Sequence, residues 1–128
     1  VVAACALTEE TRSIVDGRVL KAMKKSAFVI NEGRGPLIDE AELYGALSTR
    51  RIAGAVLDAW YRYPSGETPH PAPSDFPFHQ LDNVIMTPHI SGWTDGMIDR
   101  RWSEIARNLD SLALGKAFIN IVRPGRCA

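Results

Sequence analysis

Two short segments of this chain carry side chains suited to the chemistry of a small organic acid. Arg34 lies in a Gly-Arg-Gly turn, and His89 directly follows a Thr-Pro pair. A guanidinium stays charged and pairs with two carboxylate oxygens at once, whereas an imidazole can exchange a proton near neutral pH. Because each segment follows a short apolar run, both side chains are expected where buried strands give way to loops.

The segments that must position these two side chains alternate between strand-like and helix-like patterns. Buried strands are predicted at residues 1–7, 27–31, 52–58 and 84–86, with a possible last strand at 117–122. Helices are predicted from about Asp16 to Lys25, from the cap Asp39 to about Arg51, and from about Thr94 to Leu114, before Gly115. This alternation predicts an α/β fold with a parallel sheet, whose strands all end on one edge.

The connection at residues 60–80 differs from the others, because it contains five prolines. Proline excludes both helix and central strand, so this segment is predicted to be a long loop. Its histidines, His70 and His79, have a plain interpretation as solvated loop residues.

The composition is that of an ordinary globular domain. The chain has 128 residues, 45% of them hydrophobic, with 15 basic and 15 acidic side chains. This balance gives no reason to expect a nucleic-acid or membrane partner, and the apolar runs are far shorter than the roughly 20 residues of a bilayer span. Cys5 and Cys127 suggest neither a disulfide framework nor a metal site, so a cytoplasmic protein with reduced thiols is predicted. Since the chain opens without Met on an apolar run, we expect a fragment.

Four motifs in a fixed order resemble the C-terminal half of the nucleotide-binding domain of the NAD-dependent D-isomer-specific 2-hydroxyacid dehydrogenases. They are Ala-Leu-Thr-Glu-Glu-Thr at residues 6–11, the turn at 31–36 running into Leu-Ile-Asp-Glu, Gly-Ala-Val-Leu-Asp at 54–58, and Thr-Pro-His-Ile-Ser at 87–91. Each motif alone is weak, but the ordered set covers nearly the whole chain. The resemblance implies part of a Rossmann-type doubly wound parallel sheet, with residues 1–115 in the NAD-binding domain and 116–128 returning toward a substrate domain.

The resemblance also implies an activity, namely hydride transfer between NAD or NADP and a small 2-hydroxy or 2-oxo acid, in an enzyme that is commonly a homodimer. Arg34 would hold the substrate carboxylate and carbonyl, and His89 would exchange the proton of the reacting oxygen. Asp58 would lie near the nicotinamide, although a turn cap is an alternative role for it. The full set of implied cofactor contacts is Cys5, Ala6, Thr11, Glu32, Gly33, Arg34, Asp58, His89, Ser91 and Gly92, with Ala6 in place of a customary proline.

The departure from the family pattern concerns the partner of His89. Family members usually carry a glutamate five positions after the aspartate, and here that position is Tyr63, which supplies no charge at neutral pH. Glu67 is a candidate catalytic residue if the loop bends toward His89. Residues 58–61 and 71–92 also resemble the formate dehydrogenases of the same superfamily, which place a glutamine beside the histidine. The equivalent position in this chain is His70 if the segments are aligned on Pro-Ala-Pro at residues 71–73, and Tyr63 if they are aligned on Asp58.

Two further features leave room for a different class of function. No G-x-G-x-x-G turn and no acidic residue placed for the adenosine ribose occur in this sequence. A catalytically silent α/β module with a structural or dimerisation role is therefore the rival hypothesis. Trp93 and Trp102, on the last helix, suit an ordinary core role better than an interface.

Overall fold

The computed structural model describes residues 1–121 and contains a four-stranded parallel sheet. The strands are β1 (Val2–Ala3), β2 (Phe28–Asn31), β3 (Gly54–Leu57) and β4 (Val84–Met86), and they lie side by side in chain order. Every neighbouring pair is parallel, so the predicted sheet is confirmed and all four strands end on one edge.

Three of the four strands are shorter than the apolar runs that predicted them, whereas β4 coincides with its predicted range. For residues 1–7 the prediction of a fully buried strand was wrong: only Ala3 is buried, and Val1 and Val2 are each more than half exposed. The reason is that β1 pairs with β2 alone within the described residues, so its apolar composition is not matched by packing on both sides.

Two helices form the crossovers: α1 begins where it was predicted to begin, and α2 begins at its predicted cap. Helix α1 (Gly17–Ala22) starts after Asp16, whose carboxylate accepts from the backbone N–H groups of Arg18 and Val19. Helix α2 (Glu40–Ser48) starts after Asp39, whose carboxylate accepts from the Glu42 N–H. Such caps satisfy amide groups that have no partner inside the helix.

The core lies between these helices and the sheet, and it extends under the Pro-rich loop. The most deeply buried apolar side chains come from α1, α2, β2, β3 and the adjoining turns: Leu20, Val29, Leu37, Ile38, Leu43, Leu47, Ile52, Leu57 and Phe78. Residues 60–80 form a loop as predicted, apart from one 3₁₀ turn at Phe78–Gln80 that brings Phe78 into this core.

The described chain forms two compact units, the first ending at Gly92 and the second beginning at Trp93. The second contains helix α3 (Met97–Ala113), which ends just before the predicted stop Gly115, a residue with φ of +61° that suits glycine. Residues 117–121 form no strand. Instead, Ile119 exchanges two hydrogen bonds with the Asn108 side chain, which holds this segment back against α3. Val122, the end of the expected strand, and Cys127 lie outside the described residues.

The apolar stripe of α3 does not form a core. Its members recur every three or four residues and are all exposed: Ile98, Trp102, Ile105, Leu109 and Leu112. Trp93 is 74% exposed and Trp102 is 64% exposed, so the expected core role of these two tryptophans was wrong. None of the helices in the described part of the chain has the length and apolar character needed to cross a membrane.

Candidate active site at the carboxyl edge of the sheet

The turn that carries Arg34 is held by a buried asparagine at the end of β2. The side-chain amide of Asn31 donates to the Arg34 carbonyl at 3.0 Å, and its oxygen accepts from the Gly33 N–H at 3.2 Å. The Gly33 N–H also lies 3.1 Å from the Ala3 carbonyl of β1. The backbone of the turn is thereby fixed at both β1 and β2.

The side chain of Arg34 itself is exposed, and its Nη1 donates to the Gly33 carbonyl at 2.8 Å. The alternative interpretation paired this guanidinium with Glu32 or Asp39, but within the described residues it forms neither ion pair. The remaining N–H groups of Arg34 are therefore available to a ligand at the edge of the sheet.

Gly35 brings the Arg34 turn into contact with the segment after β3. A methyl group at Gly35 would lie 2.3 Å from the Trp60 carbonyl oxygen and 2.7 Å from the Tyr61 nitrogen. Such distances exclude any side chain, so glycine is required here by the close approach of two backbone segments. The neighbour that Gly35 accommodates is therefore the protein's own chain.

The turn that carries His89 is held by Asp58 at the end of β3. The carboxylate, only 2% exposed, accepts from the Thr87 hydroxyl at 2.5 Å, the Ile90 N–H at 2.9 Å and the Ser91 N–H at 3.0 Å. Burial opposes its charged form, but the hydrogen bonds from Ser91, Thr87 and Ile90 outweigh burial and hold the pKa of Asp58 well below its usual range.

His89 occupies a conformation that needs such support. Its φ is +59°, in the left-handed region, which costs a residue with a side chain about 1 kcal/mol or more. The Asp58 carboxylate bonds the two residues that follow His89 and the Thr87 hydroxyl before it, so it clamps the strained position from both sides.

The partner of His89 in this structure is Tyr63. The Tyr63 hydroxyl lies 2.9 Å from His89 Nδ1 and accepts from the backbone N–H of Trp60 at 2.9 Å. Among the described residues, neither Glu67 nor His70 forms a hydrogen bond with His89. Both belong to the exposed part of the loop, and a catalytic role for Glu67 stays a prediction.

The other predicted cofactor contacts fall into two places. Cys5, Ala6, Glu32, Gly33 and Arg34 line a single open cavity of about 620 Å³ beyond the ends of β1 and β2. Thr11 supports it from outside, because its hydroxyl donates to the Ala6 carbonyl at 2.7 Å. Ser91 and Gly92 lie instead in the His89 turn, where both are exposed.

The cavity suits the nicotinamide end of a dinucleotide. Small side chains and a glycine line much of it, and the free Cys5 thiol is exposed there. A flat amide-bearing ring can approach such a backbone closely. The residues present therefore fit this end of the cofactor.

Two residues that organise the site were not among the predicted site residues. Asn31 holds the Arg34 turn, and Trp60 contacts both turns: its backbone lies against Gly35 and its indole N–H donates to the Thr87 carbonyl at 2.9 Å. Asn31 could have been found, because a polar side chain that closes an apolar strand run needs hydrogen-bond partners. Trp60 had no such signal in the sequence.

The topology defines the class of protein. Parallel strands joined by helical crossovers, with ligand-type side chains beyond the carboxyl ends, form part of a Rossmann-type nucleotide-binding domain. Residues 1–91 match the family described as D-isomer specific 2-hydroxyacid dehydrogenase, NAD binding domain, and the chain belongs to this family. The predicted family and the predicted fold class are thereby confirmed.

The chain is similar to enzymes of more than one activity. It is 36% identical over 121 residues to a glyoxylate/hydroxypyruvate reductase A of Arabidopsis thaliana, covering 94% of this chain and 36% of that protein. It is 38% identical over 90 residues to a formate dehydrogenase of Pseudomonas sp. (strain 101), covering 70% of this chain and 21% of that protein. The structure of D-lactate dehydrogenase with NAD+ from Lactobacillus jensenii matches with a TM-score of 0.80 and 26% identity, covering 96% of this chain and 39% of that chain. This chain thus spans well under half the length of each relative.

Proposed function

We propose that the protein containing this chain is an NAD(P)-dependent oxidoreductase that transfers a hydride between nicotinamide and a small 2-hydroxy or 2-oxo acid. One observation supports this most: the Arg34 turn and the His89 turn lie at the same edge and are joined through Trp60. Because β2 and β4 flank β3 at about 4.8 Å each, the two turns leave the sheet about 10 Å apart. An arginine side chain and a small acid together can span that gap.

In this proposal the two side chains divide the work. Arg34 binds the carboxylate of the acid through its free N–H groups and orients the carbonyl. When bound, the nicotinamide supplies the hydride that reaches the carbonyl carbon. His89 gives a proton to the carbonyl oxygen, which becomes the hydroxyl, or takes that proton in the reverse direction. Since Nδ1 of His89 faces Tyr63, Nε2 is the nitrogen that exchanges the proton.

The proposed cofactor contacts are those that the resemblance to the family implies. Cys5, Ala6, Thr11, Glu32, Gly33 and Arg34 form or support the cavity. Asp58 lies at the end of β3, and His89, Ser91 and Gly92 lie in the turn after β4 that Asp58 holds. Asp58 would act through the turn that it holds and through Oδ2, which accepts one hydrogen bond from Ser91. NAD and NADP are both compatible with these residues, which face the nicotinamide half.

Three further parts of the proposal concern the domains, the oligomeric state and the location of the whole protein. We place residues 1–115 in the NAD-binding domain and 116–128 on the return toward a substrate domain. We expect a homodimer, to which the exposed apolar stripe of α3 would offer a surface, and a cytoplasmic location. Analytical ultracentrifugation of the intact protein tests the dimer.

The test of the activity uses the intact protein. Oxidation of NADH and NADPH is followed with glyoxylate, hydroxypyruvate and pyruvate, for the wild type and for His89→Gln and Arg34→Gln. We expect His89→Gln to lose at least about a hundredfold in kcat/KM, the usual contribution of an acid/base group. Arg34→Gln should lose about tenfold or more, through a higher KM for the acid, because the guanidinium that pairs with the carboxylate is gone. His79→Gln, at an exposed position of the 3₁₀ turn, is the matched control and keeps the wild-type rate. A normal rate in His89→Gln would contradict the proposal, and no rate with any acid would favour the silent module.

A formate dehydrogenase is the second candidate, and the neutral partner of His89 favours it. Removing a hydride from formate yields carbon dioxide without any proton for an acid/base group to move, so a charged partner is not needed. Tyr63 is such an uncharged partner. Reduction of NAD by formate, together with no oxidation of NADH by the 2-oxo acids, would establish this candidate over the first.

A further inference from the structure

We propose that Tyr63 is a positioning residue, which fixes the imidazole of His89 in one tautomer through a neutral hydrogen bond. The proposal rests on the proposed function for its catalytic meaning. The hydrogen-bond arrangement itself is independent of any activity and can be measured separately.

The order of donors and acceptors assigns the tautomer. The backbone N–H of Trp60 donates to the Tyr63 oxygen at 2.9 Å, and the same oxygen lies 2.9 Å from His89 Nδ1. Proton exchange at Nε2 requires a lone pair on that nitrogen in the neutral ring, so Nδ1 carries the proton and donates to the Tyr63 oxygen, which also accepts from the Trp60 backbone N–H. Neutral His89 therefore carries its proton on Nδ1, and Nε2, which faces away from Tyr63, is free to take the proton of the hydroxy acid.

The orientation of the ring also depends on this bond. The rings of Tyr63 and His89 lie 5.5 Å apart between centroids and are tilted by 45°, so no flat stacking holds the imidazole. His89 is exposed, and the single contact at Nδ1 is the polar restraint on its ring among the described residues.

Trp60 makes this restraint part of the same unit as the Arg34 turn. It is only 7% exposed, its indole N–H is bonded to the Thr87 carbonyl, and its own carbonyl packs against Gly35. The amide that orients the Tyr63 hydroxyl is consequently fixed with respect to both substrate-binding turns. Tyr63 transmits that fixed geometry to the proton-exchanging side chain.

The uncharged partner has a consequence for pH dependence. A carboxylate at this position would favour the imidazolium form of His89 and would accept only from Nδ1–H. The groups that face the ring are Tyr63 on the loop and, through the turn, the anionic Asp58, whose oxygens are taken by Thr87, Ile90 and Ser91. Reduction of a 2-oxo acid, which needs the imidazolium, should therefore extend to higher pH in Tyr63→Glu, by about one pH unit.

The experiment measures both the tautomer and the rate. The intact protein is labelled with ¹⁵N-histidine, His89 is assigned by its loss in His89→Gln, and spectra are recorded at pH 9, where an imidazole is neutral. The wild type should show the proton on Nδ1. Tyr63→Phe should lose this preference and lower kcat about three- to tenfold, the rate equivalent of one hydrogen bond, with KM for the acid unchanged. Tyr63→Glu should return the proton to Nδ1 and restore kcat. Tyr44→Phe, a ring packed against Phe76 in the first unit, is the control.

The outcomes separate this inference from the proposed function. A proton on Nε2 in the wild type, or a Tyr63→Phe spectrum identical to the wild type, would overturn the inference. If the spectra behave as expected but no acid oxidises NADH, the hydrogen bond stands and the proposed function fails. If the acids are reduced but Tyr63→Phe has normal kcat, the function stands and the role of Tyr63 is refuted.

Discussion

Replacement of Asp58 by asparagine tests how the His89 turn is held. The asparagine oxygen can keep the contacts to Thr87 and Ile90, but its NH2 group then faces the Ser91 N–H, 3.0 Å from the lost oxygen. One charge-assisted hydrogen bond is lost and a buried donor is left facing another donor, so we expect a loss of about 2–3 kcal/mol in the free energy of unfolding. Asp58→Ala removes all three hydrogen bonds and leaves their partly buried donors without an acceptor. The free energy of unfolding should therefore fall by about 4–6 kcal/mol.

The pH dependence of this loss has a definite sign. Because the pKa of Asp58 is lower in the folded state than its ordinary value of 3.8, the carboxylate stabilises the fold fully above that value. The stabilisation is lost as pH falls below 3.8 toward the lower folded pKa. The difference between the wild type and Asp58→Asn should therefore be constant near neutral pH and should shrink in acid.

The assay is urea unfolding followed by tryptophan fluorescence, at several pH values from 7 down to about 3. Asp82→Asn is the matched control, because Asp82 is exposed and pairs only with Arg50 at the surface. Such a pair contributes about 0–1 kcal/mol. An Asp58→Asn variant as stable as this control, or a difference that does not change in acid, would refute the clamp.

Two further predictions address the Arg34 turn. Gly35→Ala should destabilise the protein by at least about 2 kcal/mol in the same assay, because the new methyl group meets the Trp60 backbone; Gly45→Ala, in open space inside α2, should instead stabilise it by up to about 1 kcal/mol. Equal effects at the two glycines would show that the close approach at Gly35 is unimportant. Arg34→Lys should raise KM for the 2-oxo acid about ten- to a hundredfold in steady-state kinetics, since an ammonium lacks the planar fork, whereas Arg18→Lys on exposed α1 should not. An unchanged KM in Arg34→Lys would remove the guanidinium from carboxylate binding.

The tertiary structure differs from the sequence-based predictions in the exposure of the apolar side chains of α3 and β1. The apolar stripe of α3 was recognised from its spacing, but spacing gives only the direction of a helix face and not what covers it. The same limit applied to β1, whose apolar residues are partly exposed. Burial depends on neighbours from elsewhere in the molecule, which a local pattern does not contain.

The amino-acid sequence by itself determined the parallel α/β order, the start of α1 near Asp16, the cap Asp39, and the placement of Arg34 and His89 at strand ends. These features follow from interactions within a few residues and from the rule that parallel strands end together. Only the tertiary structure decided that Tyr63 is bonded to His89, 26 positions away, and that Trp60 joins the two turns. Such contacts depend on how a 21-residue proline-rich loop, residues 60–80, folds back on the sheet, and no periodicity in the sequence specifies that path.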